Sequence, residues 1–254
     1  MRVNAPQAIY KDYFGTGRSD FVRNSVVNNN IVWSVLRNPP GAPAQTRRFV
    51  FGLPTDTIIY GDFDGDLRQD IAVYREGTTA NPQSYFYILP STSPNTFISQ
   101  PWGTIGDKPV TGDFDGDGKT DFCVARRANN QIVWIILPSG GGAVRYVPFG
   151  LASDRENSTA ADFNGDGRDD LIVTRTEPNG NLTHYVGDAS SGALCFERAM
   201  GKQQRRADDR FLRRLHGRQP RRHRRQLRRV QFKPDVRHRR NLVDSGKPEA
   251  RITR

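Results

Sequence analysis

Acidic side chains recur at alternate positions in three nine-residue loops of this 254-residue chain. Each loop has the form D-x-[DN]-x-D-G/L-x-x-D and is followed at once by an apolar run. Carboxylates at this spacing can bring several oxygens to one point, and about six to eight oxygen ligands are typical of calcium. We therefore predict Ca²⁺ sites formed by the side chains of Asp62, Asp64, Asp66 and Asp70, of Asp113, Asp115, Asp117 and Asp121, and of Asp162, Asn164, Asp166 and Asp170, with the main-chain carbonyls of Arg68, Lys119 and Arg168.

A simpler interpretation is that the Asp-Gly segments are only good turns. Several carboxylates within nine residues repel one another unless a cation compensates them, which favours a metal site in these three loops. A weaker fourth copy, KDYFGTGRSDFV, has Phe14 and Thr16 where acidic ligands would stand. Because only Asp12 and Asp20 remain there, the turn interpretation is favoured for that copy.

An EF-hand opens with the same spacing, but it needs a bidentate Glu at position 12 and flanking helices. Position 12 is Val73, Val124 or Val173, each inside an apolar run typical of a strand. The EF-hand interpretation therefore fails. Without that glutamate we expect weak sites, which extracellular calcium concentrations would fill.

The loops belong to a repeat of about fifty residues. The first aspartates of the four copies are spaced by 50, 51 and 49 residues. Other landmarks recur in phase: the aromatic-Gly pairs FG, WG and FG at 51, 102 and 149, and the segment ILPS at 88 and 136. A repeat of this length indicates one supersecondary unit that is stacked several times.

Each unit has the composition of short strands. In the clearest copy we predict strands at 108–111, 121–126, 131–137 and 143–149, because these segments are rich in Val, Ile, Phe and Trp and are bounded by Gly, Pro, Asn and Asp. Four strands in about fifty residues are typical of a β-propeller blade. We therefore predict an all-β fold, a partial or open β-propeller, with a β-sandwich as the alternative. An open ring would leave exposed sheet edges, which favour aggregation.

The repeats resemble the FG-GAP/VCBS repeats that form the blades of the integrin α-subunit propeller and of many bacterial extracellular proteins. The resemblance covers about residues 7–199 and depends on GDFDGDGKTD, its sibling loops and the aromatic-Gly pairs. It implies that the Asp loops bind calcium between adjacent strands of a blade. It also implies that the protein serves in adhesion and ligand binding.

No combination of residues predicts catalysis, so we expect that the protein is not an enzyme. His184 lies in a strand-like segment, where it would pack or face solvent. Cys123 occupies the position of Ala72 and Ile172 in other copies, which predicts a buried free thiol, and Cys195 has no informative neighbours. Two cysteines cannot form a disulfide framework.

The net charge of +11 comes from one end of the chain. Residues 201–254 carry 20 Lys and Arg against 5 Asp and Glu, whereas residues 1–200 have a net charge of −4. We therefore divide the chain into a propeller body, 1–199, and a basic tail, 200–254, expected to be disordered. Such a tail, if it is genuine, would bind nucleic acid through phosphate contacts.

The tail also has the features of a shifted reading frame. Arginine codons of the CGN type, read one nucleotide later, encode Gly, Asp, Glu, Ala or Val. FLRRLHGRQPRRHRRQ read in this way permits SSGDFTGDSRADIAV, a fifth copy whose aspartate would fall near position 214, about 52 residues after Asp162. We therefore expect a frameshift near 198–200 and a fragment of a longer protein.

The function predicted from the sequence is a non-catalytic, calcium-binding module that binds an extracellular protein or carbohydrate ligand. The alternatives are nucleic-acid binding through the tail and the non-catalytic part of a secreted hydrolase or lyase. No apolar run is long enough for a membrane span, and MRVNAPQAIY has no apolar core of a signal peptide. We expect an extracellular or cell-surface location as part of a longer precursor.

Overall fold

The computed structural model describes residues 11–37 and 43–200. These residues form fifteen β-strands and no α-helix, so they include no helix that could cross a bilayer. All the strands belong to the unit Met1–Asp208, and the second unit, Asp209–Arg254, lies outside the described residues. The predicted tail, from residue 201 onward, lies outside the described residues too. The tail, the frameshift near 198–200 and the division of the chain near residue 199 stay predictions.

The strands form four separate antiparallel sheets. Sheet 1 comprises β1 (Phe21–Val27), β2 (Asn30–Arg37) and β3 (Gln45–Val50). Sheet 2 comprises β4 (Thr57–Ile59), β5 (Ile71–Arg75), β6 (Gln83–Leu89) and β7 (Ile98–Thr104). Sheet 3 comprises β8 (Lys108–Gly112), β9 (Asp121–Ala128), β10 (Gln131–Leu137) and β11 (Arg145–Leu151). Sheet 4 comprises β12 (Arg155–Glu156), β13 (Leu171–Thr176), β14 (Leu182–Gly187) and β15 (Leu194–Met200).

Every sheet is a meander in which strands adjacent in sequence are also adjacent in space. The four strands predicted for the clearest copy correspond to β8–β11, with ends that differ by one or two residues. The all-β fold of propeller-type blades is therefore confirmed, with four strands in sheets 2, 3 and 4 and three in the described part of sheet 1. The β-sandwich alternative is wrong, because no sheet contains strands from two different repeats.

The core lies between consecutive sheets. In β10, Ile132, Trp134 and Ile136 are fully buried and alternate with residues on the other face, as the two-residue period of a strand requires. They pack with Leu171 and Val173 of sheet 4. Equivalent apolar clusters join sheet 2 to sheet 3 and sheet 1 to sheet 2. Each sheet thus buries an apolar face only because the next sheet covers it.

The aromatic-Gly pairs end the outer strands and contact the core tryptophans. Trp134 donates its indole N–H to the carbonyl of Phe149 at 2.9 Å, and Trp33 donates to Phe51 at the same distance. Gly150, which follows Phe149, has φ +92°, and a Cβ there would lie 2.9 Å from Val173 Cγ1 of sheet 4. Glycine is needed at this position for both backbone conformation and space.

A buried ion pair recurs in sheets 2, 3 and 4, on the segment that enters each sheet. In sheet 3, Asp107 accepts two hydrogen bonds from Arg126, at 2.9 and 2.7 Å, and a third from the Thr104 amide. The Asp107 side chain is only 2% exposed. The equivalent pairs are Asp56 with Arg75 and Asp154 with Arg175. Each pair attaches the loop from the preceding sheet to the second strand of its own sheet.

We expect Arg126→Ala to lower the free energy of unfolding by about 2 kcal/mol, because it leaves the buried Asp107 carboxylate with only the Thr104 amide as a hydrogen-bond partner in the described part of the chain. The exposed Arg155 forms no ion pair among the described residues, and Arg155→Ala should change the free energy by less than about 0.5 kcal/mol. Urea unfolding of the two variants measures the difference. Equal destabilisation would contradict a specific role for the pair.

Candidate metal-binding loops

The four acidic loops are loop 1 (12–20), loop 2 (62–70), loop 3 (113–121) and loop 4 (162–170), and their residues are numbered here as positions 1 to 9. Loops 2, 3 and 4 connect the first strand of a sheet to its second strand. The two ends of each loop are joined by main-chain pairing. Asp70 N–H donates to the Gly61 carbonyl, Asp170 N–H donates to the Ala161 carbonyl, and Asp121 pairs with Gly112 in the ladder. The loops are therefore fixed at both ends by the sheet.

The aspartate at position 1 organises the backbone of its own loop. Asp62 accepts hydrogen bonds from the amides of Gly65 and Leu67, each at 2.7 Å. Asp113 accepts from Gly116 and Gly118 in the same way. These bonds satisfy N–H groups that would otherwise point into the turn without partners. Position 1 therefore has a structural role whether or not a metal is bound.

The aspartate at position 9 is the most deeply buried. Asp70 and Asp121 are both 0% exposed. Asp121 accepts from the Phe114 amide at 2.9 Å and from the Ser139 amide at 2.7 Å, and Asp70 contacts the amides of Phe63 and Ser91 in the same way. These contacts explain the repeated Pro-Ser segments, because Ser91 and Ser139 follow the third strands of their sheets and supply the second amide.

In loops 2 and 3 the predicted side chains converge. In loop 2, one oxygen from each of Asp62, Asp64 and Asp66 lies within 4.8 Å of the others. In loop 3 the same is true of Asp113, Asp115 and Asp121. Asp70 and Asp117 are predicted ligands outside these two groups of three. The position-5 carboxylates of Asp66 and Asp117 accept the amide of position 7 in their own loops.

These carboxylates are held in an unfavourable electrostatic environment. Burial, and to a smaller extent the charges of neighbouring carboxylates, raise the pKa of Asp70 and of Asp121 to about 7. Burial likewise raises the pKa of Asp62 to about 6, against the opposing effect of its amide hydrogen bonds. A bound cation would favour the ionised form of each group. A donor set of oxygens alone, at this proximity, fits a hard cation in loops 2 and 3.

Loop 4 has a different arrangement. Its three aspartates do not form a comparable group among the described residues. Asn164 directs its amide nitrogen to Asp170 Oδ1 at 3.1 Å and to Cys195 Sγ at 3.8 Å. Asp170 lies instead in a group with Asp188 and Cys195. The predicted site formed by Asp162, Asn164, Asp166 and Asp170 stays a prediction, without the convergence of loops 2 and 3.

Loop 1 agrees with the turn interpretation. Asp12 accepts the amides of Thr16 and Gly17, and Asp20 accepts those of Tyr13 and Phe14. Both carboxylates are therefore occupied by their own loop. Position 3, Phe14, carries no ligand atom.

The basic residues at position 7 have side chains that lie over the preceding loop. A Cβ placed on Gly65 would lie 2.9 Å from Lys119 Cε, and one on Gly15 would lie 2.6 Å from Arg68 Nε. Gly116 has the Arg168 side chain near it in the same manner. Sequence analysis assigned only the carbonyls of these residues a role, and that role stays a prediction. The basic residue that recurs at position 7 is the sequence signal from which this packing could have been predicted.

Position 8 was missed by the sequence analysis. Thr120 donates its amide to the Asp62 carbonyl at 2.7 Å and accepts the Asp62 amide on its hydroxyl at 2.9 Å. Asp169 makes both of these bonds with Asp113. Burial raises the pKa of Asp169 to about 6. Position 8 differs in every copy, as Gln69, Thr120 or Asp169, so sequence periodicity did not reveal this link between successive loops.

The structure shows the surroundings of Cys123, Cys195 and His184, the other residues singled out in the sequence. Cys123 is a fully buried free thiol, as predicted, and burial raises its pKa well above the usual value. Cys195 is exposed. His184 is partly buried, and its Nδ1 lies 2.9 Å from the Thr174 hydroxyl. The expectation that the protein is not an enzyme stays a prediction.

Two family models match the chain. An FG-GAP-like repeat matches residues 113–173, and an FG-GAP repeat matches residues 156–193. The two matches overlap at 156–173 and together cover loops 3 and 4. No curated protein and no solved structure matches the chain.

With a chelator present, we expect the thermal midpoint to fall as pH is raised from 5 to 8. The folded-state pKa values of Asp70 and Asp121 are about 7, above the value of about 3.9 in an unfolded chain, so folding becomes less favourable as these groups lose their protons. Thermal unfolding at several pH values measures this slope. The double variant Asp70→Asn/Asp121→Asn should flatten it, and an unchanged slope in that variant would contradict the assignment.

Proposed function

We propose that this chain, an FG-GAP repeat protein with propeller-type blades, is a non-catalytic calcium-binding module that binds a protein or glycan outside the cell. One observation carries the calcium proposal. Two successive loops bring together three carboxylates each, at equivalent places in their sheets, and the one ion pair that the described residues form within these loops, Arg68 with Asp66, is a weak exposed contact at 3.7 Å. The repetition argues against a chance acidic cluster.

The residues that would hold the ion are Asp62, Asp64 and Asp66 in loop 2 and Asp113, Asp115 and Asp121 in loop 3. Bound calcium would supply a concentrated positive charge that removes the repulsion between these carboxylates. The chain itself supplies the rest of the site. The carboxylates at positions 1 and 9 fix the loop backbone, and the sheet fixes both loop ends. Calcium therefore has a structural role in this proposal.

A binding role follows from the same geometry. The loops are rigidly attached to the sheets, and rigid scaffolds commonly carry recognition surfaces on such loops. Weak oxygen-only sites are filled at extracellular calcium concentrations, which supports a location outside the cell. The feature that recurs among the described residues is the acidic loop and not a set of catalytic groups, so we propose binding without catalysis.

We expect 10 mM calcium to raise the thermal midpoint by at least about 5 °C relative to chelator. A site with a dissociation constant of about 0.1–1 mM contributes about 1.5–3 kcal/mol at that concentration, and two such sites act together. Differential scanning calorimetry of the full chain measures the shift. An identical midpoint in calcium and in chelator would remove calcium binding from the proposal.

The double variant Asp64→Asn/Asp115→Asn should lose most of the calcium-dependent shift, because it removes one carboxylate from each group. The double variant Glu76→Gln/Glu177→Gln changes the net charge equally but leaves the loops intact, so it should keep the full shift. Equal losses in the two variants would indicate a general charge effect.

A further inference from the structure

We propose that a pocket between sheets 1 and 2 binds an acidic sugar unit, through guanidinium groups at its rim and an apolar wall. The pocket has a volume of about 270 Å³. Its lining includes Arg47, Arg68, Tyr13, Phe49, Ser91 and Pro94. No acidic residue lines it.

The pocket exists because the packing between sheets 1 and 2 differs from that of the next pair. Between sheets 2 and 3, Phe63 at position 2 stacks on Phe122, which follows position 9, with ring centroids 5.6 Å apart. At the equivalent places between sheets 1 and 2 stand Tyr13 and Ile71. The smaller side chain of Ile71 leaves space at the level of loops 1 and 2.

The guanidinium group of Arg47 is held in place and has hydrogen-bonding capacity to spare. Its carbon lies 4.3 Å from the centroid of the Phe14 ring, a cation–π contact. Among the described residues Arg47 makes no ion pair. Phe14 occupies position 3, where loops 2 and 3 have a carboxylate. At position 3, loop 1 therefore has a ring that positions an arginine side chain, whereas loops 2 and 3 have a carboxylate that could bind a metal ion.

Sheet 1 and loop 1 contribute positive charge to the pocket, whereas loop 2 on the other side contributes the carboxylates of Asp66 and Asp70, both of which accept hydrogen bonds from Ser91 of the lining. Residues 11–37 and 43–50 contain six Lys and Arg but only two acidic residues, Asp12 and Asp20, whose carboxylates are occupied by main-chain amides. Arg68, the second arginine of the pocket, pairs with Asp66 at 3.7 Å and is 42% exposed, which is a weak exposed contact. Both arginines can therefore turn their donors to an anion.

An acidic sugar fits this combination of groups. Planar guanidinium groups bind a carboxylate or a sulfate with two parallel hydrogen bonds. The half-buried ring of Phe49 and the exposed proline ring of Pro94 offer flat apolar surface to the C–H face of a sugar ring, and the buried Tyr13 closes the pocket behind them. An acidic peptide would present its carboxylate on a thin side chain and leave much of this wall uncovered. The pocket volume admits a single ring rather than a folded segment.

This inference deepens the proposed binding function by naming a ligand class, and it rests on that function. The contacts to the sugar do not need bound calcium, because neither arginine is a side-chain ligand in the loops; calcium in loop 2 would reduce the negative charge beside Ser91 and should only tighten sugar binding. Running the experiment in calcium and in chelator therefore separates the two proposals. If the sugar binds in both conditions and calcium does not raise the thermal midpoint, this inference holds and the calcium proposal fails.

The test is isothermal titration calorimetry of the full chain at 150 mM salt with a uronic-acid trisaccharide. The comparison ligands are a sulfated disaccharide, a neutral trisaccharide and a triglutamate peptide. We expect one-site binding of the uronate or the sulfated sugar and none of the neutral sugar. Whichever acidic sugar binds more tightly identifies the anionic group that the pocket prefers, a carboxylate or a sulfate.

Arg47→Gln should weaken acidic-sugar binding at least tenfold. Arg48→Gln is the matched control, because the adjacent residue of a strand points to the opposite face and the change in charge is identical. It should weaken binding less than twofold. The basic tail is the same in both variants, so its contribution cancels. Circular dichroism checks that each variant is folded, and Arg68→Gln provides a second test of the pocket.

Four results would overturn the inference. Equal weakening by Arg47→Gln and Arg48→Gln would indicate non-specific attraction. Unweakened binding in both Arg47→Gln and Arg68→Gln would place the ligand elsewhere. Tighter binding of triglutamate than of either acidic sugar would assign the pocket to an acidic peptide. Absence of binding to every acidic probe would remove the site.

Discussion

The main-chain pairing between position 1 of one loop and position 8 of the next is the interaction on which the stacking of sheets depends. The Gln69 amide donates to the Asp12 carbonyl at 2.9 Å, and Thr120 and Asp169 donate to Asp62 and Asp113 at 2.7 Å. These bonds fix the height at which each sheet meets the next, and the apolar clusters between sheets can form only at that height. Because position 8 lies inside the acidic loop, sheet stacking and loop geometry are set by the same residues.

Within a loop, the carboxylates divide into two kinds. Those at positions 1 and 9 accept main-chain amides, and in loops 2 and 3 they are buried. The carboxylates at position 3, Asp64 and Asp115, accept within their own loops only the longer bond from the position-5 amide, at 3.2 and 3.1 Å, and add charge beside the first kind. The loop can therefore form from its own hydrogen bonds, while the accumulated negative charge makes a cation favourable. In the calcium proposal, folding and ion binding would be coupled through charge rather than through the shape of the loop.

Much of this arrangement could be predicted from the sequence, because strand composition and the fifty-residue period are both local patterns. The boundaries of β8–β11 and the burial of Cys123 follow from that periodicity. The difference between the two groups of three, with position 5 in loop 2 and position 9 in loop 3, depends on backbone detail, which spacing alone does not encode. The Asp107–Arg126 pair recurs in phase and could have been found. The link at position 8 could not be predicted. Gln69, Thr120 and Asp169 have different side chains, yet each donates its main-chain amide to position 1 of the preceding loop.

The differences among the four loops follow from the different roles of positions 1, 3 and 9. In every loop, the position-1 carboxylate accepts the amide of position 6 and the position-9 carboxylate accepts the amide of position 2. Position 3 takes no part in these two bonds. In loops 2, 3 and 4 its side chain accepts the position-5 amide, and loop 1 keeps the other two bonds although Phe14 cannot accept a third. The residue at position 3 gives each loop a different surrounding. Phe14 has an arginine side chain over its ring, Asp64 and Asp115 belong to groups of three carboxylates, and Asn164 has its amide beside the Cys195 thiol. The scaffold therefore permits the ion and ligand preferences of individual blades to diverge while the stacking of the sheets stays the same.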